Sequence, residues 1–175
     1  MEKPNLFVTY DINNRRESKE EVLWVLGKVG EEEPRFLSSR ARGIFLILAS
    51  LDPREITGRL TQLCKEEPDN FWYTYNYIPI DVWCSSELEE MVENVKRLSE
   101  GIKKDETWRM TVNKRFYNQY HTLEIIEILA ENVNRKVDLK NPQKIIQIEI
   151  MGKQAGISLL DPSDIFSVSK VKSEI

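Results

Sequence analysis

The chain has 175 residues, of which 41% are hydrophobic and 31% are charged, and its formal net charge is −4. This composition excludes an intrinsically disordered chain, and the longest apolar run is too short for a membrane span of about 20 residues. Because the N-terminus has no basic segment followed by an apolar one, we predict a cytoplasmic protein. The length allows one large domain or two small ones.

Residues 1–82 are predicted to form a ferredoxin-like domain with the order strand, helix, strand, strand, helix, strand. Its predicted elements are a strand at 6–10, a helix capped by Ser18 and Glu21, strands at 35–39 and 44–50, a helix that begins at Asp52 and Pro53, and a strand at 71–78. In the last strand, Phe71, Tyr73, Tyr75 and Tyr77 are predicted to share one face. They would either pack beneath the helices or stack on nucleobases.

Residues 83–169 are predicted to form a second α/β domain, followed by a flexible tail at 170–175. Its predicted elements are a helix capped by Ser86 and Glu89, a strand at 108–112, a helix over 123–133, and strands at 146–150 and 154–160 that meet at a turn near Gly152.

The sequence contains no recognised nucleotide-binding loop, and we predict no catalytic residue, cofactor or metal. Cys64 and Cys84 lack C-x-x-C spacing and are predicted to be small buried residues. His121, the single histidine, is predicted at the start of a helix, where it could cap the helix, contact RNA, or do neither.

The segment Val-Asp-Leu-Lys-Asn-Pro at 137–142 is the most informative part of the chain. Asn141 and Pro142 predict a turn between a helix and a strand. Four cations surround this turn: Arg135, Lys136, Lys140 and Lys144. A basic turn on a rigid frame could bind phosphate, although basic residues also commonly end a helix.

A second basic segment, at 114–120, combines two cations with three aromatic residues. Lys114 and Arg115 are predicted to bind phosphate, and Phe116 is predicted to anchor the loop in the core. Tyr117 and Tyr120 could do either of two things, pack inward or stack on bases. Residues 96–153 contain twelve Lys or Arg and eight Asp or Glu, so this region is locally basic in an acidic chain.

The order V-D-L-x-N-P followed by E-I, after an amphipathic helix, resembles the THUMP domain, an RNA-binding module of tRNA-modifying enzymes. The segments 114–121 and 154–160 also resemble parts of that domain, and the resemblance covers roughly 85–166. It implies that an N-terminal ferredoxin-like domain precedes a THUMP-like domain in an α/β protein.

The resemblance, together with the cations, implies a tRNA-binding surface. The predicted RNA contacts are Lys114, Arg115, Tyr117, Asn118, Arg135, Lys136, Lys140, Asn141, Lys144 and Lys153. The resemblance suggests one continuous basic surface, although the spacing alone does not. Glu21 and the other acidic residues of the first helix, with 31–33, are predicted to repel phosphate.

The expected function is that of a non-catalytic adaptor. Because 175 residues leave no room for a catalytic domain, the chain resembles the small stand-alone THUMP adaptor that holds tRNA for a separate acetyltransferase making N4-acetylcytidine. Two alternatives stay open: a protein–protein interaction module without RNA contact, and a tRNA-modifying enzyme with an unrecognised site.

Overall fold

The computed structural model describes residues 2–175, which divide into two compact units. One unit contains the chain up to Ile80 together with Ser163–Ile175, and the other is Asp81–Pro162. The boundary at Ile80 lies two residues from the predicted one. No helix within residues 2–175 is long and apolar enough to cross a membrane.

The first unit has the predicted ferredoxin-like order with one added strand and helix. Its elements are β1 (Leu6–Tyr10), α1 (Arg15–Lys28), β2 (Arg35–Leu37), β3 (Ile44–Leu48), α2 (Pro53–Glu66), β4 (Thr74–Pro79), β10 (Phe166–Ser167) and α5 (Val168–Ser173). The sheet has the order β10-β4-β1-β3-β2, and all its strand pairs are antiparallel. Buried apolar residues of α1 and α2, such as Leu26 and Leu60, pack against it. Asp52 caps α2 by accepting from the backbone N–H of Arg54, as its position before Pro53 predicts.

A β-bulge in β4 changes the predicted arrangement of aromatic residues. Thr9 pairs with Asn76 but Tyr10 pairs with Thr74, so Tyr75 is the extra residue on β4. Tyr77 is fully buried, whereas Tyr75 is 49% exposed. The prediction that these two side chains share a face is therefore wrong, because the bulge reverses the alternation of the strand.

Two of the glutamates that were predicted to repel phosphate are buried acceptors for backbone N–H groups. Glu21 accepts hydrogen bonds from the N–H groups of Trp72, Tyr73 and Thr74 at 2.7–3.0 Å. Glu31 accepts from the N–H groups of Ser50 and Leu51.

These bonds satisfy donors that the sheet leaves unpaired, so both glutamates support the fold. Ser18 and Glu21 are not a helix cap, since α1 begins at Arg15 after Asn14.

Residues 163–169, predicted as the end of the second domain, and the predicted flexible tail at 170–175 instead belong to the first unit as an ordered segment. Phe166 pairs with Tyr77 in the sheet, and Val168 and Val171 are buried. Lys172 Nζ donates to the carbonyl of Phe71 at 2.5 Å. Val168 and Val171 are three residues apart, so a helix places both side chains against the core of the first unit.

The second unit is a mixed sheet with two helices. Its elements are β5 (Val82–Ser85), α3 (Leu88–Ser99), β6 (Thr107–Arg115), α4 (Thr122–Ala130), β7 (Lys136–Val137), β8 (Lys144–Met151) and β9 (Gln154–Leu160). The strand order is β5-β9-β8-β6-β7, with β6 parallel to both β8 and β7. The α/β prediction is confirmed for both units.

Strand β5 and the start of α3 differ from the predicted elements. Ser86 does not cap α3, because its hydroxyl donates to the carbonyl of Gly152 in the β8–β9 turn at 2.7 Å. This bond and the pairing of β5 with β9 fix the entry to the second unit.

Candidate functional site

The ten predicted RNA-contact residues lie at two opposite ends of the second sheet. Strands β6 and β8 are parallel, with Trp108 opposite Lys144 and Arg115 opposite Met151. Their first and last residues are seven steps apart, which at about 3.3 Å per residue separates the two ends by roughly 23 Å. One continuous basic surface, as the resemblance suggested, is therefore not formed.

We name the two groups by one lysine each. The Lys114 end contains Lys114, Arg115, Tyr117, Asn118 and Lys153. The Lys140 end contains Arg135, Lys136, Lys140, Asn141 and Lys144. The first group lies in or just after the last residues of β6 and just after β8, and the second group extends from the residue before β7 to the first residue of β8.

At the Lys114 end, the two strand cations are held by protein acceptors. The Arg115 guanidinium lies 3.5 Å from the carboxylate of Glu149, a residue that is 1% exposed. Burial raises the pKa of Glu149, and Arg115 and Asn113 oppose that rise. Lys114 Nζ donates to the carbonyl of Tyr120 at 3.1 Å. Neither cation is fully available to a phosphate.

Among the aromatic residues that follow β6, the one predicted to be buried is exposed. Phe116 has a left-handed φ of 56° and is 58% exposed, so the prediction that it anchors the core is wrong. Tyr117 and Tyr120 pack against the core instead. The left-handed backbone breaks the alternation of the strand, so Tyr117 takes the inward position. Burial raises the pKa of Tyr117, and its hydroxyl is buried without a hydrogen-bond partner.

Acidic residues reduce the positive charge at the Lys114 end. Helix α3 starts there directly after β5, and its first turn contains exposed Glu89 and Glu90. The first turn of α4 contains exposed Glu124, which accepts from the N–H of His121 at 3.0 Å. Lys153, in the β8–β9 turn, is exposed.

The turn at the Lys140 end is rigid and presents its side chains to solvent. The carboxylate of Asp138 accepts from the N–H groups of Lys140 and Asn141 at 3.1 and 3.0 Å. Arg109 donates to the carbonyl of Leu139 at 3.1 Å. Lys140 and Asn141 are exposed. The backbone of the turn is thus fixed from within, while its lysine remains accessible.

Arg135 organises the neighbouring loop rather than pointing its charge outward. Its Nε donates to the carbonyls of Ile102 and Lys103 at 3.0 and 3.2 Å, and its Nη1 donates to Asn134. These bonds hold the loop after α3 beside the start of β7. They bring exposed Lys103 and Lys104 to the Lys140 end.

Lys144 is neutralised. Its Nζ lies 2.9 Å from a carboxylate oxygen of Glu106 and 2.7 Å from one of Asp161. Hydrogen bonds to Asp161 and Glu106 raise the pKa of Lys144. The backbone N–H of Lys103 and the Lys144 ammonium lower the pKa of Glu106. Lys144 therefore stabilises the base of the sheet.

The remaining exposed lysines at the Lys140 end form what we call the basic patch: Lys103, Lys104, Lys136 and Lys140. Sequence reasoning missed the first two. The sequence did contain a signal for them, since a Lys-Lys pair lies between a helix and β6. Loops that precede parallel neighbouring strands lie at the same edge of the sheet, so this pair and the turn before β8 share one edge. Two exposed apolar side chains, Val137 at 51% and Leu139 at 69%, flank the patch.

Residues 2–175 contain no group of three or more His, Cys, Asp and Glu side chains placed to hold a metal ion. Cys64 is buried and Cys84 is half-buried.

Residues 85–160 match the family model of the THUMP domain, so the predicted THUMP domain is confirmed over this segment. No curated protein sequence matches the chain.

Solved structures similar to the chain contain both units. PH1313 from Pyrococcus horikoshii Ot3 has a TM-score of 0.64 at 19% identity, over 94% of this chain and 55% of that protein. TrmN from Thermus thermophilus has a TM-score of 0.53 at 14% identity, over 88% of this chain and 44% of that protein. A 4-thiouridine synthetase in complex with RNA and ATP has a TM-score of 0.55 at 18% identity, over 95% of this chain and 42% of that protein.

The chain thus spans about half the length of these solved proteins, and at these identities the likeness concerns the fold. The chain carries a THUMP domain at 85–160 alongside a ferredoxin-like unit.

Proposed function

We propose that the chain binds tRNA through the basic patch and holds it for a separate modifying enzyme, a tRNA cytidine N4-acetyltransferase. The observation that carries this proposal is a THUMP domain whose rigid turn presents Lys140 beside three other exposed lysines. A solved protein of similar fold is a 4-thiouridine synthetase in complex with RNA, which supports RNA as the ligand. A cytoplasmic location belongs to the same proposal.

The patch is chemically suited to a phosphate backbone. Its lysines extend from loops fixed by Arg135 and Asp138, so little backbone entropy is lost when RNA binds. Each ammonium releases condensed counterions from RNA when it replaces them at a phosphate. Such contacts bind many sequences alike, which fits a protein that holds tRNA while another protein reads the reacting base.

The adaptor role and the acetyltransferase partner rest on the sequence resemblance to the stand-alone THUMP adaptor. In this proposal, the chain binds tRNA and the partner catalyses the acetyl transfer. The product of the pair would be N4-acetylcytidine in tRNA.

The test has two parts that separate binding from chemistry. The purified chain should bind tRNA, and its affinity should fall as salt rises. Incubated alone with tRNA, it should yield no modified nucleoside with acetyl-CoA and ATP or with S-adenosylmethionine, as read by mass spectrometry.

A modified nucleoside formed by the chain alone would show that the chain is an enzyme and not an adaptor. No tRNA binding, or binding that does not change with salt, would favour a protein–protein module instead.

A further inference from the structure

The first unit contains a cavity of about 590 Å³ that the proposed function does not use. It lies between the start of α1, the strands β2 and β3, and the loop that joins them. Four cations line it: Arg15, Lys19, Arg40 and Arg42. None of the residues that line it is acidic. A concave site with this lining concentrates positive potential, because its low-dielectric walls focus the field of the cations.

Aromatic rings hold two of these cations in place. The Arg15 guanidinium lies 5.6 Å from the centre of the Phe45 ring, and Lys19 Nζ lies 4.9 Å from the centre of the Phe36 ring. Phe45 in turn stacks on Tyr10 with ring centres 4.0 Å apart. Cations over ring faces keep their charge while losing mobility, so the cavity is prepared for an anion.

The loop between β2 and β3 is closely packed at its end. Gly43 has a φ of +83°, and a Cβ there would lie 2.8 Å from Ile12. Only glycine suits both the backbone and the space. This packing fixes the backbone beside Arg42, the preceding residue of the loop.

The side of α1 that carries Arg15 and Lys19 differs from its acidic side. These two residues are four apart and share a helix face, while Arg16 lies 3.6 Å from Glu17 and within 4.0 Å of Glu20. Repulsion of phosphate, expected for the whole helix from its composition, therefore does not apply to the face that lines the cavity.

We propose that this cavity binds a phosphate-bearing, unpaired nucleotide of an RNA strand. Its ligand class rests on the proposed function, but the site is a separate one in the other unit. A concave cavity suits an unpaired or terminal nucleotide better than the convex wall of a duplex. Cations beside aromatic rings are the combination that binds single strands, with charge for the backbone and ring faces for bases.

The variants form a matched pair on adjacent residues. Arg15→Glu reverses a charge that lines the cavity, and Arg16→Glu reverses a charge that does not. Both make the same change in net charge. A glutamate in the first turn of a helix is favourable, so both variants should fold. Arg42→Glu provides a second cavity variant outside the helix, and far-UV circular dichroism checks all three.

The probes are a short single-stranded oligouridylate with a 5′-phosphate, a blunt RNA duplex, uridine monophosphate and a polyglutamate peptide, titrated against the full chain at about 0.15 M salt. For the single strand, Arg15→Glu and Arg42→Glu should each weaken binding at least about tenfold, the size of a lost charge-assisted contact. Arg16→Glu should weaken it less than about twofold. The duplex should respond equally to Arg15→Glu and Arg16→Glu.

Several results would overturn the proposal. Equal losses from Arg15→Glu and Arg16→Glu for the single strand would show a nonspecific charge effect. Binding of polyglutamate as tight as that of the single strand would indicate an acidic peptide. Binding of uridine monophosphate but not of the strand, sensitive to Arg15→Glu, would indicate a free nucleotide. If tRNA binding depends on the basic patch while the single strand ignores Arg15→Glu, this inference fails and the proposed function stands.

Discussion

The two ends of the THUMP sheet have equal numbers of predicted RNA contacts but differ in what their cations do. At the Lys114 end, Arg115 is paired with buried Glu149 and Lys114 is bonded to a backbone carbonyl. At the Lys140 end, Lys144 pairs with Glu106 and Asp161, and exposed lysines without such pairs lie nearby, next to exposed Asp105. The comparison teaches that a count of basic residues does not locate a binding surface. What matters is which charges the fold has already neutralised.

The largest effect on stability is expected from Arg135→Ala at the Lys140 end. This change removes three hydrogen bonds to backbone carbonyls, made by two donor groups, and two of these carbonyls belong to the loop after α3. It should lower the free energy of unfolding by about 2 kcal/mol, since hydrogen bonds from charged donors contribute about 1.5–3 kcal/mol each and solvent replaces part of them. Urea unfolding measures this, with exposed Lys136→Ala as the control at less than about 0.5 kcal/mol. Equal losses would mean that Arg135 does not organise the loop.

Tyr117→Phe at the Lys114 end should have a smaller effect of the opposite sign. The variant removes a buried hydroxyl that has no partner, so the free energy of unfolding should rise by up to about 1 kcal/mol. Affinity for tRNA should not change, because the ring packs on the core. Tyr120→Phe is the matched control. A loss of tRNA affinity in Tyr117→Phe alone would restore this residue as an RNA contact.

The smallest effect is a pair of opposite pH dependences at the two ends. Burial raises the pKa of Glu149 above 4.5, so the native protein should lose stability relative to Glu149→Gln as the pH rises above 4.5. The pKa of Glu106 is lowered below 4.5, so the stability that Glu106 adds relative to Glu106→Gln should be present above 4.5 and lost as the pH falls below it. Urea unfolding between about pH 3 and pH 7 would compare the two. Slopes of the same sign would contradict these assignments.

Elements with strong hydrophobic periodicity were predicted from the sequence. Predictions failed where a side chain makes a long-range contact instead of the local one that its sequence motif indicates. The alternation of Ile146, Ile148 and Ile150 identified β8, and Asp52 with Pro53 marked the start of α2. Ser18 and Glu21 matched a capping box, but Glu21 binds backbone more than fifty residues away. Nothing local distinguishes these two roles of a glutamate.

The candidate site was only partly predictable for a similar reason. The turn at 138–142 and its lysine were read from local chemistry, namely Asn141 before Pro142. That Lys144 is neutralised depends on Asp161, which comes from the far end of β9. That the cations divide between two ends depends on the parallel pairing of β6 with β8, which spacing alone does not specify.

The most direct test of the central claim is the affinity for tRNA of two matched variants, Lys140→Glu and Lys153→Glu. Both replace an exposed lysine in a turn, one at each end of the sheet, and both make the same change in net charge. At about 0.15 M salt, Lys140→Glu should weaken binding about tenfold and Lys153→Glu less than about twofold. With Lys140→Ala, the slope of log affinity against log salt should fall by about 0.7 to 0.9, the value for one phosphate contact. Equal losses from the two glutamate variants, or a larger loss from Lys153→Glu, would contradict the assignment of RNA to the Lys140 end.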